Sequence, residues 1–208
     1  LRTTAGPSPL ALEDTPYIVA NCEARALFLD TRVESVAAAC THIEALALRV
    51  AIGGHLAAFM DWDAALAGMD GADIPDPVLG STMLYTSGTT GRPKGVYRPP
   101  MDPAHAAQMQ QVLTAVFQFD PESGKDRALA TGPLYHTGPF ALCFTTPLTA
   151  GIGAVIMDKW EPQRMLALIA QHRITHTFCV PTMFNRLLQL PDDVRARHDV
   201  SSLRFVIH

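Results

Sequence analysis

The residues from Thr86 to Gly95, TSGTTGRPKG, place three glycines, three threonines, a serine, a proline and two cations within one short segment. Gly88, Gly91 and Gly95 permit positive φ angles and let a backbone approach a ligand without Cβ atoms in the way. Successive N–H groups in such a turn can converge on an anion. Thr86 and Ser87 open this run of donors. The Ser87, Thr89 and Thr90 hydroxyls donate hydrogen bonds and can also face a hard cation. Lys94 adds a compact charge on a long stem, suited to phosphate as a point charge, and Pro93 stiffens the turn before it. No carboxylate intervenes. Donors, a mobile cation and no anion describe a cradle for a polyphosphate. A flexible Gly/Ser/Thr linker is the bland alternative, but a linker needs neither Tyr85 and a strand before it nor Arg-Pro-Lys inside it.

Two other phosphate loops fail on spacing. In the pattern GxxxxGK[ST] counted from Gly88, Pro93 stands where glycine is required and Gly95 follows Lys94 in place of Ser or Thr. Pro99 and Pro100 also prevent a helix from starting directly after the loop. The dinucleotide fingerprint GxGxxG is absent. His172 and His176 have the i, i+4 spacing of a metal pair, but the segment between them passes from helix to strand, so the rings should diverge, and no HExxH glutamate accompanies them. Cys22, Cys40, Cys143 and Cys179 lie in apolar segments without CxxC spacing and read as reduced core residues.

The elements that must hold this loop alternate. Thr15-Pro16 carries an N-cap and N1 signal for a helix running to Ala24. ALFLD (Ala26 to Asp30) reads as a buried strand, Glu34 to Ile43 as a helix, Leu46 to Ile52 as a strand and Asp61 to Leu66 as a short helix. Gly71 to Gly80 is a Pro/Gly/Asp loop. Met83 to Tyr85 enters the glycine-rich segment as a strand. Asp102-Pro103 then caps a helix whose inner face should hold Ala106, Met109, Leu113, Val116 and Phe117. Strands at Arg127–Thr131, Ala154–Asp158, Ile174–Val180 and Leu203–Ile207 are separated by helices at Phe140–Leu148, at Glu161–His172 and from Pro181. The expected fold class is α/β, with alternating strands and helices in a largely parallel layered sheet. The expected organisation is a first α/β part over 1–70, a loop over 71–80 and a loop-bearing α/β part over 81–208.

The segment Tyr85 to Val96, YTSGTTGRPKGV, resembles the phosphate-loop signature of the AMP-forming acyl-CoA synthetase family, the adenylate-forming enzymes that include luciferases and peptide-synthetase adenylation domains. Pro133-Leu134-Tyr135-His136 is similar to the second core motif of that family, an aromatic-His pair near the acyl pocket. Trp160-Glu161-Pro162 and Val180-Pro181-Thr182-Met183, each leading a helix, also have the family's look. The resemblance is loose at the N-terminus and tight from Leu84 onward. Many relatives carry a histidine after the loop, where this chain has Tyr97-Arg98-Pro99-Pro100.

The resemblance implies ATP-dependent activation of a carboxylic acid, expected to be a fatty acid, to an acyl-adenylate. CoA would then take the acyl group as a thioester. It implies that Thr86, Ser87, Gly88, Thr89, Thr90, Gly91 and Lys94 hold the β- and γ-phosphates, that Thr89 or Thr90 faces Mg2+, and that His136 lines the junction of acyl and nucleotide sites. Lys94 and His136 are the expected catalytic residues. The His136 ring alone would read as a core histidine satisfied by a carbonyl; the surrounding motif favours the site. The family's adenine turn, metal-binding glutamate, ribose aspartate and C-terminal catalytic lysine have no counterpart in these 208 residues. The chain is therefore expected to be an incomplete portion of the large N-terminal domain, inactive alone, with the small C-terminal domain absent. A module loading a carrier protein, or a silent nucleotide-binding piece, is the alternative.

Composition narrows the partners. The chain is 48% hydrophobic and 17% charged, with a net charge of −4 and no long run of either sign. That excludes a nucleic-acid patch or a polybasic anchor and argues against disorder. No apolar stretch approaches the ~20 residues of a membrane span. A cytoplasmic setting follows most simply from reduced cysteines. The expected partners are a small carboxylic acid, ATP and CoA, with a homodimer left open.

Overall fold

The computed structural model describes residues 2–6, 14–78, 80–86 and 91–208. The chain forms two compact units, 1–100 and 101–208.

In the first unit, α1 (Asp14–Asn21) is followed by β2 (Ala26–Asp30), α2 (Glu34–Cys40), β3 (Leu48–Ile52), β4 (Met60–Asp61) and α3 (Trp62–Leu66). Helix α1 stops short of Ala24 because Glu23 takes a left-handed φ of 55°. Its terminal carbonyls are then closed by Glu23 N–H to Ala20 O and Ala24 N–H to Val19 O. Strands β2, β3 and β4 pair in parallel in that order. One face carries Leu27 and Leu29, packed on Val19, Val36, Cys40 and Leu46 and on Ala37, Leu56 and Phe59. ALFLD is thus buried on one side only. Side chains alternate along a strand, so Phe28 points the other way, is 51% exposed and meets the Trp62 ring edge-on at 6.3 Å.

Two short pairings in this unit escape sequence patterning. Strand β1 (Arg2–Thr3) runs parallel to β5 (Ser81–Thr82). Strand β6 (Leu84–Thr86) forms an antiparallel hairpin with β7 (Lys94–Val96). The sequence places β6 correctly but reads Lys94–Val96 as loop. Residues 71–78 and 80 carry no helix or strand.

The second unit is a four-stranded parallel sheet in the order β11 (Phe205–Ile207), β10 (His176–Phe178), β8 (Arg127–Ala130), β9 (Gly153–Ile156). Helices α6 (Pro162–His172) and α7 (Pro181–Leu188) cover one face. There Leu129, Met165, Leu168, Ile169, Ile174 and Cys179 form the core, with Trp160, Met183 and Leu187 against it. Each such side chain, fully buried, contributes about 1.5–3 kcal/mol. Short α8 (Asp192–Ala196) precedes β11. The other face packs Phe117, Phe119 and Ile152 with Leu113, Leu142, Phe205 and Ile207.

Helix α4 (Pro103–Val116) is capped as its sequence requires, with the Asp102 carboxylate accepting from the N–H groups of Ala104 and His105. Its inner face differs from expectation. Leu113 packs inward, but Met109 and Val116 are exposed at 49% and 57%. The inward row instead includes Gln110, whose amide donates to the Thr146 carbonyl at 3.1 Å. That polar residue disguised the row as a surface.

Between β8 and β9 the chain forms a π-helix, Gly138–Thr145, that runs into α5 (Thr146–Thr149). Pro147 has no N–H for the carbonyl four residues earlier, which favours the wider pitch. Such helices are uncommon and gather at functional sites.

Candidate functional site

The hairpin fixes both ends of the glycine-rich loop. Thr86 pairs with Lys94, Tyr85 with Gly95 and Leu84 with Val96. The Thr86 hydroxyl donates to the Lys94 carbonyl at 3.4 Å, closing the last rung. Both residues are exposed, and among the described residues Lys94 makes no ion pair. Its ammonium is available to an anion. Ser87, Gly88, Thr89 and Thr90 lie outside the described residues. Gly91 has a φ of 106°, as a tight glycine turn requires. Gly95 works differently: it has no positive φ, and a Cβ there would meet Met83 Cε at 2.1 Å and Tyr85 Cζ at 2.9 Å. It is glycine because the Tyr85 ring crosses it.

That crossing carries the Tyr85 hydroxyl to Asn21 on α1, where it donates to Oδ1 at 2.6 Å. Burial first of all pushes the phenol up to about 12, so it stays a donor. The Arg92 guanidinium lies 5.2 Å from the centroid of the Tyr17 ring, also on α1. Sequence reading missed Tyr17 and Asn21. An aromatic and an amide on a short helix form no pattern, and nothing local ties them to a hairpin far along the chain.

In the second unit the strand order defines a second place for chemistry. The chain leaves β8 for β9 on one side, then crosses to β10 on the other. Open α/β sheets bind ligands outside the carboxyl ends of the strands at such a reversal. The segment leaving β8 there is Thr131 to Thr137, which contains Tyr135-His136. The buried Thr131 hydroxyl bridges the two strand ends by donating to the Phe178 carbonyl. His136 is exposed, its ring 4.5 Å from the half-buried Tyr135 ring. Its backbone is held on both sides, N–H to Pro133 O and carbonyl from Phe140 N–H. Among the described residues its imidazole has no hydrogen-bond partner. The reading of a core histidine satisfied by a carbonyl fits His176 instead, which is 1% exposed with Nε2 at 2.8 Å from Phe117 O.

His172 and His176 do not form a metal pair: one ends α6, the other is buried in β10. No group of three or more His, Cys, Asp or Glu among the described residues could hold a metal. All four cysteines are buried and free. Burial pushes the Cys143 thiol up to about 12 and the Cys179 thiol up to about 11, which makes them inert.

Residues 8–208 match the profile of the AMP-binding enzyme family. The chain belongs to that family. Its relatives are acyl-CoA ligases. It is 31% identical to a medium/long-chain-fatty-acid–CoA ligase of Mycobacterium tuberculosis, over 95% of this chain and 35% of the relative. It is also 31% identical to an indoleacetate–CoA ligase of Aromatoleum aromaticum, over 95% of this chain and 38% of the relative. Among solved structures, ATP-bound MatB from Rhodopseudomonas palustris superposes with a TM-score of 0.70 at 24% identity, over 95% of this chain and 37% of MatB. That likeness carries the fold. The chain spans little more than a third of the length of these relatives. No helix among the described residues is long and apolar enough to cross a membrane.

Proposed function

We propose that this chain supplies the triphosphate-binding part of an AMP-forming acid–thiol ligase. A substrate carboxylate oxygen attacks the α-phosphorus of ATP; the new C(O)O–P bond forms as pyrophosphate leaves. The CoA thiol then attacks the acyl carbon and AMP departs. Carboxylate is a poor acyl donor, and adenylation gives it a good leaving group. In this reading the protein acts by position and charge. The observation that carries it is the exposed Thr86–Lys94 rung at the mouth of a Ser/Thr/Gly loop, with a lysine that makes no ion pair among the described residues.

Lys94 is assigned to the β- and γ-phosphates with Thr86 and Gly91, and with Ser87, Gly88, Thr89 and Thr90 by resemblance. His136 is assigned to the acid and adenylate side. By resemblance, Mg2+ is assigned to the phosphate oxygens, with Thr89 or Thr90 facing it. There it would offset phosphate charge. Fatty acids are the first substrate class, supported by the mycobacterial relative, and the setting is cytoplasmic. The chain alone is proposed to bind nucleotide without completing turnover.

Pyrophosphate exchange against a panel of fatty and aryl acids, in the full-length protein that carries this segment, tests the reading. Lys94→Ala should lower exchange at least about tenfold, the loss of one well-aimed charge in a phosphate site. Unchanged exchange would remove Lys94 from the phosphates and with it the reading.

A further inference from the structure

We propose that helix α1 positions Lys94: Tyr17 and Asn21 fasten the hairpin on either side of the lysine, so that nucleotide affinity depends on a helix that need not touch the nucleotide. This rests on the triphosphate reading above.

Two contacts and a buried proline carry it. Arg92, two residues before Lys94, is held over the Tyr17 ring at 5.2 Å. Tyr85, the register partner of the residue after Lys94, is held by Asn21 at 2.6 Å. Pro93, between them, is buried and fixes its own φ. The backbone of Lys94 is thus pinned on both sides while its side chain stays exposed. Tyr17 and Asn21 are i, i+4 on one helix and share a face, so a single rigid surface sets both points. The arrangement also divides the labour of the two cations in the segment. Arg92 is engaged with an aromatic face, and Lys94 is left for the anion.

Arg2 extends the fastening beyond the rung. Its guanidinium donates to the Cys22 carbonyl at 2.8 Å and lies 5.3 Å from the Tyr97 ring. The end of α1 and the strand leaving the loop therefore share one more tie.

The experiment compares Tyr17→Leu, Tyr17→Phe and Tyr85→Phe, each alone and with Lys94→Ala. MgATP affinity is read by calorimetry, and KM for ATP against kcat by pyrophosphate exchange in the full-length protein. Tyr85→Phe removes one hydroxyl and leaves the ring over Gly95, so the fold survives it. Tyr17→Leu and Tyr85→Phe should each weaken MgATP about three- to tenfold through KM, with kcat little changed, as expected for one cation–π contact or one hydrogen bond. Tyr17→Phe keeps the aromatic face and should behave as wild type. In the Lys94→Ala background the same changes should add almost nothing, because positions that act through one group are not additive. Unchanged affinity in Tyr17→Leu and Tyr85→Phe while Lys94→Ala weakens binding overturns the positioning role alone. Full additivity with Lys94→Ala does the same. No effect from Lys94→Ala overturns the triphosphate reading and the positioning role together.

Discussion

The two ends of the four-stranded sheet treat their polar groups in opposite ways. At the amino end every buried polar side chain is engaged. The His176 ring is engaged at both nitrogens, Nε2 at 2.8 Å from Phe117 O and Nδ1 at 2.7 Å from the Thr175 hydroxyl, which also reaches the Arg127 carbonyl at 3.1 Å. That hydroxyl accepts from Arg127 N–H at 3.0 Å. The Asp126 carboxylate accepts from Asp120 N–H and, through both oxygens, from Arg204. At the carboxyl end the backbone is equally well fixed, by Thr131, by the carbonyl of Pro133 and by the π-helix, yet the His136 ring is exposed and without a described partner. Groups engaged in folding are no longer available for a substrate. A site needs a held backbone and an unengaged side chain, and His136 at the carboxyl end offers both.

Given this contrast, the largest effect on stability belongs to the amino end. Arg204→Leu leaves the Asp126 carboxylate, 2% exposed, without its counter-ion. Breaking such a pair from one side costs about 3 kcal/mol, read as a lower urea midpoint. Adding Asp126→Asn should recover part of that loss, because a neutral amide needs no counter-ion and can still accept from Asp120 N–H. A midpoint unchanged by Arg204→Leu would mean that the amino end is no better sealed than the carboxyl end.

A smaller effect should appear with pH. Burial lowers the pKa of His176 below 6.5, against smaller raising influences from the Phe117 carbonyl and Asp126. The folded protein then holds this proton less tightly than the unfolded chain. Above 6.5 both forms are neutral and stability is level; as the pH falls from 6.5 to the lowered folded value, stability is lost, by at most about 1.4 kcal/mol per pH unit. Asp30, held low first by Arg32, and Asp199, held low first by Ser201, titrate below 3.8 and leave this window clear. Urea midpoints between pH 7 and 5 should therefore fall for the wild type and flatten in His176→Gln. Parallel slopes for the two proteins would show that His176 is not a buried neutral group.

Much of this contrast is written locally in the chain. Alternating strand and helix patterns place β8, β9 and β10 with their helices, and the composition from Thr86 to Gly95 marks the loop. Other features are not local. Lys94–Val96 has too few β-forming residues to announce a strand, and becomes one only because Leu84–Thr86 lies beside it. The π-helix depends on Pro147 removing a donor inside an otherwise helical run. Gln110 hides the inward row of α4 because its partner, the Thr146 carbonyl, is remote in sequence. His176 illustrates the limit: the passage from helix to strand after His172 already argues against a metal pair, but only the fold shows the ring buried and held by the Phe117 carbonyl.

The smallest effect on stability, and the sharpest test of the contrast, is His136→Ala. The ring is exposed and lies 4.5 Å from the Tyr135 ring, so its removal should change the unfolding free energy by less than about 0.5 kcal/mol. The backbone bonds at Pro133 and Phe140 do not depend on the side chain and should persist. Adenylation, in the proposed reading, should fall at least about tenfold, since a group near the reacting carboxylate contributes through position and charge. His136→Ala would thus separate activity from stability, while Arg204→Leu loses stability with no direct claim on the chemistry. If His136→Ala instead lowers the urea midpoint as much as Arg204→Leu and leaves pyrophosphate exchange intact, the carboxyl end is a second structural seal, and the site must be sought elsewhere in the chain.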